Sequence, residues 1–89
     1  MASDDYEPVD CNVFDYVEIA CMYRYPVRIF FRDGRQLDGT AVDTAVEAGR
    51  GEFLVLDIDG KSERVRLDTI VTLETRAAGA RFSRVNITG

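Results

Sequence analysis

Glu52-Phe53-Leu54-Val55-Leu56-Asp57-Ile58-Asp59-Gly60 decides how the rest of the chain is read. Its apolar run is strand-length and rich in residues that suit a pleated, buried surface. It ends on Asp59-Gly60, a pair that accepts the positive φ angles of a tight hairpin turn. The stretch therefore predicts a central strand over 52–58 that turns back at once. Downstream, Lys61 to Leu67 alternates charged Arg64 and Arg66 with Val65 and Leu67, and Thr69 to Glu74 supplies a further strand through Ile70, Val71 and Leu73. Upstream, Val27-Arg28-Ile29-Phe30-Phe31-Arg32 runs into a second turn pair, Asp33-Gly34. Gln36 to Thr44 is then the returning strand, and Gly39 inside it predicts a bend or bulge. Ala45 to Gly51 has two glycines and no apolar rhythm, which predicts a loop.

Before Pro26 the period changes. Phe14, Val17, Ala20 and Cys21 recur at helical spacing, while Asp15 and Glu18 fall on a different face, so an amphipathic helix is expected over 13–22. Asn12 is the expected N-cap. Asp15, three residues on, would then complement the positive end of the helix dipole. Acids in a first turn often do no more than that, so two explanations of Asp15 stand side by side here.

One helix followed by five short antiparallel strands predicts a mainly β fold: a small five-stranded Sm-like or SH3-like barrel capped by the helix. Residues 1–7 form an acidic segment expected to be flexible, 8–75 the domain, and 76–89 a C-terminal tail docked weakly through Phe82 and Val85. With 89 residues the chain has room for one core.

The formal charge is −5, and the acids are unevenly placed: Asp4, Asp5, Glu7, Asp10, Asp15 and Glu18 all precede Arg24, the first basic residue. Such a balance suits a basic partner and argues against a domain built to hold phosphate backbones. Arg28, Arg32, Arg64 and Arg66 alternate on strands that also present aromatics, as an RNA-binding barrel would have them. Asp33, Asp38, Glu63 and Asp68 are near enough in sequence to balance them. There is no histidine and no nucleophile, phosphate-loop or metal motif, so neither a cofactor nor a metal is expected, and the chain does not read as an enzyme. Asp57 and Asp59 could form a carboxylate pair, but they flank a turn where Asp is common for conformational reasons. Cys11 and Cys21 read as reduced thiols, with a disulfide left open across nine intervening residues. No run approaches a membrane span and the N-terminus is acidic, so a cytoplasmic protein is expected. Asn86-Ile87-Thr88 matches a glycosylation acceptor, which has no meaning without a secretory route.

Tyr6-Glu7-Pro8-Val9-Asp10-Cys11 and Phe14-Asp15-Tyr16-Val17-Glu18-Ile19-Ala20-Cys21 resemble the N-terminal signature of the Rho-binding antiterminator family, Rof. The likeness continues through Asp33-Gly34, Glu52-Phe53-Leu54-Val55 and Arg66-Leu67-Asp68-Thr69-Ile70. It implies an Sm-like domain that binds the N-terminal, RNA-binding region of the termination factor Rho and competes with RNA; no membrane partner is expected, and a monomer is expected with the oligomeric state left open by the sequence. Carried over by residue, it makes Asp15 and Glu18 the main contacts, with Asp10, Asn12 and Tyr16 beside them. It adds the 47–52 loop, here represented by Glu47 and Arg50. Val13 stands where a family relative has an acid. An RNA-binding Sm-like ring and a generic adaptor for a basic partner are the alternative readings.

Overall fold

The computed structural model describes residues 9–88; the expectation for residues 1–7 lies outside the described residues. Helix α1 (Cys11–Met22) is followed by β1 (Pro26–Phe31), β2 (Gln36–Glu47), β3 (Gly51–Ile58) and β4 (Lys61–Arg66). A 3-10 turn (Leu67–Thr69) then leads to β5 (Ile70–Thr75) and β6 (Arg84–Asn86). All pairings are antiparallel, in the order β4-β3-β2-β1-β5-β6. The fold is mainly β with one helix, as expected. It has six strands where the sequence predicts five, and the sheet is not closed by hydrogen bonds, so β4 and β6 are its edges.

Alternation builds the core. Val27 and Ile29 of β1, Leu54 and Leu56 of β3, Val65 of β4 and Ile70 and Leu73 of β5 point inward, joined by Ala41 and Leu67. Val17 and Ala20 of the helix pack onto this layer, mainly over β2. The Asp59-Gly60 turn takes positive φ at both positions (53° and 85°), the geometry of a two-residue hairpin that matches strand twist. At the other predicted turn, the Asp33 carboxylate accepts the Arg35 backbone N–H at 3.0 Å.

Four details depart from the sequence reading. The helix starts at Cys11, and its N-cap is Asp10, whose carboxylate accepts the Asn12 N–H at 2.8 Å, so Asn12 lies inside the helix. Strand β2 runs on through Ala45 and Val46, which pair with Phe53 and Glu52; only 48–50 is turn, closed by Arg50 N–H donating to the Glu47 carbonyl at 2.9 Å. The bulge falls between Ala41 and Asp43 instead of at Gly39. Gly39 is instead a close-approach site, where a Cβ would stand 2.9 Å from Ile58 Cγ1. Finally, the segment read as a tail contains β6 and the buried Ile87. The Phe82 ring packs edge-on against Tyr16 and Tyr25 at 5.1 and 6.1 Å, and the Tyr25 hydroxyl accepts the Arg81 N–H at 2.8 Å.

Candidate protein-binding surface

The helix buries Val17 and Ala20 and half-buries Val13, Phe14 and Cys21 on the sheet. The opposite side is left to solvent. Cys11, Asp15, Glu18 and Met22, spaced by four, three and four residues, form one exposed stripe. Met22 is 71% exposed, an apolar side chain at the end of a row that carries two carboxylates.

With Asp10 as N-cap, the first turn of the helix contains no acid, and Asp15 falls beyond it. The dipole explanation of Asp15 therefore loses its geometry, since that effect is confined to the first turn. Among the described residues Asp10, Asp15, Glu18 and Asp43 make no ion pair. Asp43, on β2 beyond the bulge, and Glu18 each raise the pKa of the Cys21 thiol. Burial is the larger cause, and together they push the thiol up to about 12.

Elsewhere on the sheet five acids are paired with arginines. Asp38 accepts two hydrogen bonds from Arg28 at 2.7 and 3.0 Å, which lower its pKa and raise that of the guanidinium. Asp33 pairs with Arg35, and the Arg35 backbone N–H is the main cause of its lowered pKa. Arg66 forks onto Asp68, and Glu74 pairs with Arg84. Arg64 pairs with Glu47, not Glu63, and stacks over the Phe53 ring at 4.4 Å. Three of the four strand arginines are thus held by carboxylates. Arg32 sits in the β1–β2 turn with its backbone N–H bonded to the Thr69 carbonyl. Asp57 accepts the Gly60 N–H at 2.9 Å, a turn role. Among the described residues no group of three or more His, Cys, Asp or Glu side chains could hold a metal. No helix among them is long and apolar enough to cross a membrane.

The helix start and the β2–β3 hairpin meet, because the Val9 N–H donates to the Glu52 carboxylate at 3.1 Å. Glu52 stands opposite Val46, two positions beyond the Thr44–Leu54 pair whose Leu54 is buried, so Val46 points to the helix side. Val46 is 68% exposed there, and the sequence reading assigned it to a loop. Glu47, the next residue, points to the other face, tied to Arg64, with Arg50 4.0 Å away. The structure brings Asp10, Asn12, Asp15 and Glu18 together on the exposed helix. It turns Tyr16 toward Phe82 and places Glu47 and Arg50 behind the hairpin. Cys11 and Cys21 are free thiols ten positions apart on one helix, roughly 15 Å along its axis, too far for a disulfide.

Residues 8–87 match the family described as modulator of Rho-dependent transcription termination (ROF). The chain belongs to the Rof family. It is 31% identical over 70 residues to Protein rof of Escherichia coli strain K12, covering 79% of this chain and 82% of that one. The match to Protein rof of Shigella flexneri has the same values. A solved structure, YaeO bound to magnesium from Vibrio cholerae O395, superposes with a TM-score of 0.74 at 24% identity, covering 83% of this chain and 96% of that one. That likeness supports the open β fold with its helix. The family match reaches through β6. Family membership makes this chain a modulator of Rho-dependent termination.

Proposed function

We propose that this Rof-family chain inhibits Rho-dependent termination by binding the N-terminal RNA-binding region of Rho and excluding RNA from its primary site. The reading rests above all on one observation: the carboxylates of the helix stripe have no cation within the described chain, whereas five acids of the sheet are each paired. A surface that receives RNA must be cationic, and unneutralised carboxylates on a rigid helix can occupy it while speeding encounter. Asp15 and Glu18 are the main contacts, with Asp10 and Asn12 at the same end. Met22 and Val46 supply apolar area beside them, which interfaces need at their desolvated centres. Glu47 and Arg50 take part only if the partner wraps behind the hairpin, and Tyr16 contributes through the exposed part of its ring. The chain acts as a competitor and catalyses nothing.

Competition binding tests this directly, using Rho, a labelled cytidine-rich RNA, and the wild-type protein or its Asp15→Ala/Glu18→Ala variant. The expected result is displacement of RNA by wild type and none by the folded variant. Failure to displace RNA at saturating protein, with the RNA bound by this protein instead, would overturn the reading in favour of an RNA-binding module.

A further inference from the structure

Helix α1 is closed by a left-handed residue that is not glycine. The Arg24 N–H donates to the Cys21 carbonyl at 3.1 Å and the Tyr25 N–H to the Ala20 carbonyl at 2.9 Å, the paired bonds of a helix stop that turns through positive φ. Arg24 is the residue that takes it, at φ 52°. Glycine adopts this conformation freely, whereas the Cβ of any other residue crowds the following carbonyl. Among the described residues the only other non-glycine there is Asp59, of a type that tolerates it better. Nothing within the fold uses the Arg24 side chain, which is exposed and makes no ion pair among the described residues. The negative end of the helix dipole would be served as well by a basic residue inside the last turn, where no strain arises and where this helix has none. A strained backbone that carries an idle cation points outward for its reason.

The residues on either side of Arg24 belong to an aromatic, cationic patch. Tyr23 stacks on Tyr25 at 5.7 Å, and the Arg81 guanidinium lies 5.1 Å from the centre of the Tyr23 ring. Arg81 is exposed and, among the described residues, makes no ion pair either. Tyr16 and Tyr23 stand one position round the helix from Asp15 and Met22, so the patch borders the acidic stripe. Their rings remain 42% and 46% exposed. One surface thus carries uncommitted carboxylates toward the start of the helix and uncommitted guanidiniums at its end. Met22 and the two tyrosines lie between, residue types enriched at protein interfaces.

We propose that the surface meeting Rho continues past the acidic stripe onto Tyr23, Arg24 and Arg81, and that the two arginines pair with carboxylates of Rho lying beyond its cationic RNA site. This rests on the reading that Rho is the partner. Opposite charges at the two ends fix the direction in which the helix lies, because a reversed helix would bring each end against its own sign. RNA suits the patch less well. Phosphates strung over Tyr23 would come about 7.5 Å along the axis from Glu18, within a Debye length of about 8 Å, and be repelled.

Interferometry on immobilised Rho, with thermal unfolding of the free proteins, is the test. Arg24→Gly relieves the left-handed backbone and should melt at or above the wild-type temperature, yet bind about fivefold more weakly; adding Arg81→Gln should bring the loss to roughly 30-fold. The sign separates this from bulk electrostatics. Both substitutions make an already acidic chain more negative, so against a uniformly cationic partner they would quicken association and tighten binding. Unchanged or tighter binding by the double variant, with Asp15→Asn/Glu18→Gln still weakened, would overturn this proposal alone. Wild type that does not bind Rho at all would overturn the underlying reading with it. Weaker binding by Arg24→Gly accompanied by a lower melting temperature would overturn it too, since Arg24 would then serve the fold. Labelled RNA held by wild type and released by Arg24→Gly would overturn it in favour of a nucleic-acid contact.

Discussion

Replacing Asp15 and Glu18 by their amides, Asp15→Asn/Glu18→Gln, separates folding from recognition because the two carboxylates do nothing measurable for the helix. Asp10 is the cap, Asp15 lies beyond the first turn, and neither acid has an ion-pair partner among the described residues. Exposed substitutions of this kind stay within about 0.5 kcal/mol, a melting shift of roughly 2–4 °C for a domain of this size. Binding to Rho follows another scale. Two solvent-rimmed pairs at about 1 kcal/mol each limit the loss of affinity to roughly 30-fold, whereas a desolvated pair with an arginine, at about 4 kcal/mol, carries it near 1,000-fold. Stopped-flow association at two ionic strengths tells these apart. Loss of rim charges lowers the on-rate and flattens its salt dependence, since they act over a Debye length of about 8 Å, while loss of a desolvated pair raises the off-rate. Unchanged affinity, or a melting temperature lowered as far as a core truncation lowers it, would refute the assignment.

Three further outcomes follow from the packing. Gly39→Ala forces a Cβ to 2.9 Å from Ile58 Cγ1 and 3.3 Å from the Asp57 carbonyl, and should cost about 1–3 kcal/mol in urea unfolding; a neutral result would mean that β3 yields easily. Tyr25→Phe deprives the Arg81 N–H of its acceptor and should lower stability by about 1–2 kcal/mol, with loss of protection from hydrogen exchange at Arg81. Near neutral pH a thiol reagent should modify exposed Cys11 and spare Cys21. Because the folded Cys21 thiol holds its proton up to about 12 while the unfolded one releases it near 9.0, the folded state binds more protons in between. Stability is therefore unaffected by this group below pH 9 and falls as pH rises from there toward 12, a decline that Cys21→Ser should blunt.

Much of this molecule is legible in its residues. Strands β1, β3, β4 and β5 follow from alternation, and the Asp33-Gly34 and Asp59-Gly60 turns from the φ angles those pairs accept. The helix follows from its 3.6-residue period and the acidic stripe from the same count. These features are local, carried by neighbours within a few positions, so a single chain displays them. What only the tertiary structure decides involves partners far apart in sequence. Asp10 displaces Asn12 as cap because Val9 is anchored on Glu52, 43 residues away. Ala45 and Val46 join β2 because Phe53 and Glu52 pair with them, and the register shifts at a bulge between Ala41 and Asp43. Glu47 goes behind the hairpin because strand parity sends it to Arg64. Residues 83–88 carry too little apolar rhythm to announce a strand; they become one because β5 presents an unpaired row of backbone groups, and burying that row without a partner would cost more than ordering the tail.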